Sequence, residues 1–234
     1  IDNGWQDKEF VEKYTYGFEQ YAAEVKKYDL KKVAGITGLD PRDIERATEL
    51  YATGGPASIH ESPSPVNLPL IAVPTTAGTG SELTQAMVIS DQEHNDKECI
   101  FHDKAFAKEA IIDPELMRTL PPRMTAITGF DAFTHAFESY LRDCASPYTK
   151  MIGLRAMGLI IDTLPRLVND TGNMELRERM AQAAMFSGIS LGNAAACLPH
   201  PISEIVGGVA PRLAHGQCLA TLYPQFLRWQ CTQS

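Results

Sequence analysis

The sequence lacks a basic excess, a long apolar run and a basic, apolar leader at its N-terminus. Its 21 Lys and Arg against 29 Asp and Glu give a net charge of -8 and a pI near 5.3. Nucleic acids and anionic membranes bind positive surfaces, which this composition does not favour. No apolar stretch approaches the roughly 20 residues that cross a bilayer. These absences predict a cytoplasmic protein whose partners are neither nucleic acid nor membrane.

Cysteine pairs of the CxxC type are also absent. The cysteines number five, an odd count, and most have apolar neighbours in the sequence. Oxidised extracellular frameworks usually have even, regularly spaced cysteines, whereas reduced intracellular thiols occur in apolar surroundings. The sequence therefore predicts no disulfide framework.

Charge is concentrated at the start of the chain. Residues 1–61 contain 20 charged side chains, against 30 in the other 173 residues. An apolar stripe from about 7 to 28 predicts an amphipathic helix, and Asp40 followed by Pro41 predicts the capped start of another. The Pro- and Ser-rich stretch 62–67 then predicts a loop. We interpret 1–61 as a helical segment that shows no chemistry of its own.

The segment GFDAFTHAFESY, residues 129–140, sets Asp131 and His135 four residues apart, so they share one helix face. The same segment is rich in apolar residues and therefore predicts burial. Further along, His200 and His215 are separated by glycines and a proline that let the chain turn back. An Asp and a His at this spacing most often form only a hydrogen-bonded pair. Together, however, one carboxylate and three imidazoles are typical ligands of a divalent transition metal.

Residues 68–73 form a short apolar run that predicts a buried strand leading into the loop PTTAGTGSE, residues 74–82. The loop glycines permit close approach of the backbone to a ligand, and four side chains supply hydroxyl groups. A tight turn without a ligand is the alternative, because lone glycine motifs are weak signals.

These motifs, together with IIDPEL (111–116), LPP (120–122) and HPISEIVGGVAPRLAHG (200–216), resemble the iron-containing, group III alcohol dehydrogenases. The resemblance runs from about residue 68 to the end. It implies a catalytic metal, Fe²⁺ or Zn²⁺, and NAD or NADP as cofactor. The implied metal-binding and catalytic residues are Asp131, His135, His200 and His215. The implied cofactor-binding residues are Thr75, Thr76, Gly78, Thr79, Ser81 and Lys97.

Two departures from the family stand out. Many members have a histidine near the nicotinamide where this chain has Glu204, so the resemblance implies no proton-relay role at that position. A Gly-rich pyrophosphate-binding turn is also missing upstream, which predicts weak or absent dinucleotide binding. Glu138, on the same helix face as Asp131, is either an acceptor for an imidazole N–H or an exposed salt-bridge partner.

The N-terminal segment has a separate resemblance. FVEKYTYGFEQY and ITGLDPRDIERATELYATGGPASI, within residues 1–59, are similar to part of the large subunit of molybdopterin oxidoreductases such as formate dehydrogenases. The segment contains no cysteine that could bind molybdenum. The two resemblances meet near 62–67, which predicts a fused chain.

The predicted fold class is α/β to mainly α, in three parts: a short helical segment (1–61), a partial, truncated nucleotide-binding α/β part (62–121), and a truncated all-helical metal-binding domain (122–234). Within the last part, Pro165 is expected to end or kink a helix. The predicted activity is a metal-dependent alcohol dehydrogenase acting on a small alcohol or aldehyde. The alternatives are a metal-binding, non-catalytic chimeric chain and a fragment of a molybdopterin oxidoreductase. A homo-oligomer is compatible with the sequence.

Overall fold

The computed structural model describes residue 12 and the ranges 18–37, 40–53, 70–91, 96–102, 105–210 and 212–232. The chain divides into two compact units. One unit comprises Ile1–Ser62 and Val66–Leu68, and the other Pro63–Pro65 and Pro69–Ser234. The predicted fusion point at 62–67 lies outside the described residues, and the three-part division at 61 and 121 stays a prediction.

Three helices are described in the first unit: α1 (Phe18–Val25), α2 (Leu30–Thr37) and α3 (Pro41–Thr53). The predicted cap at Asp40 is confirmed, because its Oδ1 accepts the Arg42 N–H at 2.8 Å. Pro41 then occupies the first helical position, where its missing N–H costs nothing.

The second unit begins with four short strands: β1 (Ile71–Ala72), β2 (Ala86–Asp91), β3 (Asp96–Phe101) and β4 (Glu109–Ala110). β1 pairs in parallel with β4, and β2 pairs antiparallel with β3, with Val88 opposite Cys99. The prediction of a buried strand over 68–73 is wrong for the described residues 70–73. Ile71 is 54% exposed, and Leu70 and Val73 are exposed as well. Parallel strands are buried when helices cover both faces, and in the described structure β1 has only β4 beside it.

Five helices follow: α4 (Pro122–Leu141), α5 (Pro147–Asn169), α6 (Met174–Ala194), α7 (Pro199–Val209) and α8 (His215–Cys231). Local sequence explains their starts. Ser146 Oγ accepts the Thr149 N–H at the start of α5, and Asn173 Oδ1 accepts the Leu176 N–H at the start of α6. Of the two outcomes expected at Pro165, the end of the helix is wrong, since α5 continues to Asn169, and a kink stays a prediction.

Helices α4, α5 and α6 pack on one another around a core that includes Ala132, Leu159, Ile160, Leu167 and Met180. A second cluster joins α8 to α4, where Leu219, Tyr223 and Phe226 contact the phenylalanines of α4. α4 is therefore covered along most of its length, and its polar side chains need partners inside the protein. Within the described ranges, no helix is long and apolar enough to cross a membrane.

Candidate metal centre

Helix α4 carries the first two candidate ligands. Asp131 and His135 are each 5% exposed, and His135 Nε2 lies 3.6 Å from Asp131 Oδ1. Their spacing of four residues places them on the same face of α4, as the sequence predicts. That face is turned towards α7 and α8 rather than towards solvent.

Two other helices supply the remaining histidines at their first turns. His200 follows Pro199 at the start of α7, and its Nε2 lies 3.7 Å from Asp131 Oδ1. His215 is the first residue of α8, with its Nε2 3.6 Å from the same oxygen. Three imidazoles from separate parts of the chain thus surround one carboxylate oxygen.

Gly216 allows α8 to approach α4 closely enough for this arrangement. A Cβ atom at Gly216 would lie 2.9 Å from Ile127 Cγ2 and would overlap the Ile127 carbonyl oxygen. The start of α8 therefore rests directly on the α4 backbone, one turn before Asp131. Our sequence reasoning missed Gly216. A glycine directly after a candidate ligand, where a helix begins, was the available signal.

The polar atoms at the centre lack hydrogen-bond partners within the described part of the chain. Asp131 Oδ1, His200 Nε2 and His135 Nδ1 are buried and unpaired. The N–O separations of 3.6 to 3.7 Å are too long for hydrogen bonds. They are close to the roughly 3.4 Å expected between tetrahedral ligands that each lie about 2.1 Å from a metal. The residues present therefore fit a divalent metal ion.

The four candidate ligands are not equivalent. Ligand atoms of Asp131, His200 and His215 lie within 4.8 Å of one another. His135 approaches Asp131 but falls outside this mutual group, and its ring stacks on His200 with centroids 4.7 Å apart. The structure thus brings three predicted ligands into one cluster and places the fourth beside it.

Burial and charge set the protonation of these groups. Burial lowers the pKa of His135 to about 4 and also lowers the pKa of His215, so both imidazoles are neutral near pH 7. Burial opposes charge on Asp131, but the three histidines outweigh it and lower its pKa to about 2. Burial likewise opposes charge on His200, whereas Asp131 and Glu138 raise its pKa to about 9. An ionised carboxylate and neutral imidazoles are the forms that bind metals, and a metal would compete with the His200 proton.

Side chains behind the centre contact two of the imidazoles. Glu138 is fully buried, and its Oε1 accepts a hydrogen bond from His200 Nδ1 at 2.9 Å. The prediction that Glu138 accepts an imidazole N–H is confirmed, and the exposed salt-bridge alternative is wrong. The hydroxyl oxygen of Ser203, which is also fully buried, lies 3.3 Å from His215 Nδ1.

The predicted cofactor loop packs on the same helical domain. Gly78 and Gly80 are buried, and a Cβ atom on either would clash, at Gly78 with Thr128 of α4 and at Gly80 with Gly188 of α6. Gly80 also adopts φ of 62°. These glycines permit close contact with the helices, and their predicted contact with a ligand stays a prediction.

The loop hydroxyls remain on the outside. Thr75, Thr79 and Ser81 are exposed and Thr76 is half-buried. Thr79 Oγ1 and Ser81 Oγ lie 3.0 Å apart. Polar groups thus line the solvent side of a loop whose backbone is fixed against α4 and α6.

Lys97 lies near the histidine cluster although it belongs to β3. A Cβ atom at Gly207 of α7 would be 3.1 Å from Lys97 Nζ. The pKa of the half-buried Glu204 is raised because the effect of burial exceeds the opposing effect of the nearby His200 and Lys97 charges. The position where many family members have histidine thus carries a carboxyl group that interacts electrostatically with a candidate ligand and with a lysine.

A buried Asp and three histidines on a helical domain, next to a Gly/Thr loop, define a metal-dependent class of protein. Comparison with known families agrees. Residues 125–234 match the "Fe-containing alcohol dehydrogenase family, C-terminal" and residues 13–114 match "Iron-containing alcohol dehydrogenase". The chain belongs to the iron-containing alcohol dehydrogenase family. The second match includes most of the segment that resembles a molybdopterin oxidoreductase, and that resemblance is not confirmed.

Individual relatives show the same relationship. A choline dehydrogenase of Bacillus subtilis is 44% identical over 154 residues, which are 66% of this chain and 38% of that protein. An NAD-dependent methanol dehydrogenase of Bacillus methanolicus is 37% identical over 82% of this chain and 51% of its own length. The chain spans between 38% and 56% of the length of eight curated relatives that it matches.

Solved structures confirm the predicted fold class. A 1,3-propanediol oxidoreductase superposes with a TM-score of 0.66 at 32% identity, covering 81% of this chain and 50% of that one. A sulfoacetaldehyde reductase from Bifidobacterium kashiwanohense, solved with NAD⁺, gives a TM-score of 0.65 at 31% identity, covering 77% and 46%. This chain thus shares its short strands and helical domain with about half of each of those structures.

Proposed function

We propose that this chain carries the catalytic metal centre of an alcohol dehydrogenase that oxidises a small alcohol to an aldehyde or ketone and transfers hydride to NAD or NADP. The observation that carries the proposal is the approach of three imidazole nitrogens to the unpaired Oδ1 of Asp131. Family membership supplies the reaction class. The names of the relatives, which include methanol and choline dehydrogenases, support a small alcohol as the substrate.

Asp131, His200 and His215 would hold the metal, with His135 beside them as the fourth candidate. The donor set accepts Fe²⁺ or Zn²⁺. When bound, such an ion supplies Lewis-acid chemistry that favours loss of the alcohol proton. Asp131 contributes the negative charge of the site, and burial keeps His135 and His215 in their neutral, ligand-competent forms.

Aromatic side chains beside the centre would limit the access of water to it. Phe130, Phe133 and Phe137 pack with Tyr223 on the side of α4 that meets α8. A largely desolvated site strengthens the electrostatic interactions within it. We place the substrate where His215, the least buried of the three converging imidazoles, reaches the surface.

The dinucleotide would contact the exposed hydroxyls of Thr75, Thr79 and Ser81, with Thr76, Gly78 and Lys97 nearby. Lys97 is suited to this role because its ammonium group lies against α7 near the histidine cluster. Hydrogen bonds to phosphate are worth about 1.5 to 3 kcal/mol each, so without the Gly-rich turn we expect weak affinity.

The proposal is tested by metal analysis and dinucleotide titration of one sample. The protein would be stripped with a chelator, reloaded anaerobically with Fe²⁺ or with Zn²⁺, and titrated with NADH and NADPH by calorimetry. Alcohol-dependent NADH formation would then be followed by absorbance, with Asp131→Ala as the control. One metal per chain and turnover that Asp131→Ala abolishes would support the proposal. A chain that binds no metal would refute it, and metal without dinucleotide binding would leave a non-catalytic metal protein.

A further inference from the structure

The Glu138 carboxylate accepts three hydrogen bonds next to the candidate metal centre. Its Oε1 accepts from His200 Nδ1 at 2.9 Å and from Tyr223 Oη at 3.0 Å, while its Oε2 accepts from the Cys197 N–H at 2.9 Å. The donors belong to α7, to α8 and to the loop that precedes α7. A carboxylate without solvent exposure requires such compensation, because burying an ion costs several kcal/mol.

The hydrogen bond to Glu138 determines which nitrogen keeps its proton in the neutral, metal-binding form of His200. Both oxygens of Glu138 accept hydrogen bonds from other donors, Tyr223 Oη and the Cys197 N–H, so His200 Nδ1 is the donor in its contact with this acceptor. Nε2, which points to Asp131 and lacks a hydrogen-bond partner in the described structure, then keeps a lone pair for a metal. By contrast, His215 Nδ1 faces the neutral hydroxyl of Ser203 at 3.3 Å, which donates its own proton to the His200 carbonyl at 2.8 Å, and the buried Nδ1 of His135 has no partner among the described residues.

Tyr223 connects this arrangement to α8. It lies eight residues after His215, about two turns later, and therefore on the same face of α8. Phe130 holds its ring edge-on, with centroids 5.3 Å apart. The hydroxyl has a second acceptor, the Thr134 carbonyl at 3.4 Å, but the shorter contact is with Glu138. Helix α8 thus carries both His215, a candidate ligand, and Tyr223, which donates to Glu138. Glu138 in turn orients His200.

We propose that Glu138 and Tyr223 are positioning residues that fix the tautomer and direction of His200 and so set the metal affinity of the centre. This inference rests on the proposed metal site and assigns a role to residues that do not touch the metal. Outer hydrogen bonds of this kind raise ligand basicity, and their loss lowers metal affinity about 10- to 100-fold.

Tyr223→Phe and Glu138→Gln test the assignment. Tyr223→Phe removes one donor and keeps the ring packing. Glu138→Gln keeps the shape but replaces one acceptor oxygen with an NH₂ group, which must oppose one of the three donors. Tyr148→Phe on α5 is the matched control, because that tyrosine is 55% exposed.

Each variant would be stripped of metal and titrated with Co²⁺ and Zn²⁺, with affinity measured by chelator competition and geometry by the Co²⁺ absorption spectrum. The thermal midpoint of the metal-free protein would be recorded in parallel. We expect about tenfold weaker binding for Tyr223→Phe, about 100-fold for Glu138→Gln, and no change for Tyr148→Phe.

Wild-type metal affinity in both variants would overturn the proposal, whether or not the metal-free midpoint falls, because a lower midpoint alone indicates a structural role. Failure of the proposed function is distinguishable from this result. A wild-type chain that binds metal but never oxidises alcohol would leave the affinity comparison intact.

Discussion

Gly216→Ala tests whether the position of α8 controls the metal centre. The added methyl group would lie 2.9 Å from Ile127 Cγ2, whereas ordinary contact begins at 3.4 Å. Its overlap with the Ile127 carbonyl oxygen cannot be relieved by rotating a side chain, because that oxygen belongs to the backbone of α4. The start of α8 must therefore retreat by at least about 0.5 Å, the difference between these two distances.

His215 would move with it, because it is the neighbouring residue and the first of α8. Metal–ligand distances tolerate deviations of about 0.2 Å, and the positions of binding or catalytic side chains tolerate deviations of about 0.5 Å. We therefore expect metal affinity to fall at least about tenfold, as for loss of a well-placed supporting contact. Overpacking of this kind also costs about 1 to 3 kcal/mol of folding free energy.

The assay is metal titration of the stripped protein together with thermal unfolding. Gly158→Ala on α5 is the matched control, since nothing lies within 4 Å of its added methyl group. That substitution should stabilise the protein slightly, by about 0.5 to 1 kcal/mol, and leave metal affinity unchanged. If Gly216→Ala has the thermal midpoint and the metal affinity of the wild type, α8 can shift without moving His215, and the close contact with Ile127 does not control the metal centre.

Three further outcomes are expected. Asp131→Asn should reduce bound metal from one equivalent towards none by elemental analysis, because the shared anionic oxygen is lost; full occupancy would argue against this ligand. Arg177→Met should lower the free energy of unfolding by about 3 kcal/mol in denaturant titrations, since the buried guanidinium donates to Leu120 O at 2.8 Å and Thr125 Oγ1 at 3.0 Å; an unchanged midpoint would contradict it. Deleting residues 1–61 should leave metal stoichiometry unaltered, and a folded deletion variant without metal would refute a boundary there.

Much of the helical domain could be predicted because its signals are local. The sequence predicts an all-helical part over 122–234, and the described residues of that range form five helices. Pro165 shows the limit of such rules: it does not end α5, which continues to Asn169 with one side buried in the core. Packing of neighbouring helix faces can offset one lost backbone hydrogen bond.

The β region shows the opposite case. An apolar run predicted a buried strand, but Ile71 is exposed because burial of a strand depends on what covers its faces. The glycines of the Gly/Thr loop predicted close approach to a ligand, which stays a prediction, and the structure adds that Gly78 and Gly80 permit contact with α4 and α6. No local pattern distinguishes these two uses of glycine.

The sequence by itself determined the donor types and the shared helix face of Asp131 and His135, because both follow from composition and a spacing of four residues. Only the tertiary structure decided that Glu138 accepts hydrogen bonds from His200, 62 residues away, and from Tyr223, 85 residues away. It also decided that Gly216 lets α8 rest on α4. These relations depend on helix packing over distances along the chain at which no local periodicity operates, so they become visible only when the helices are placed together.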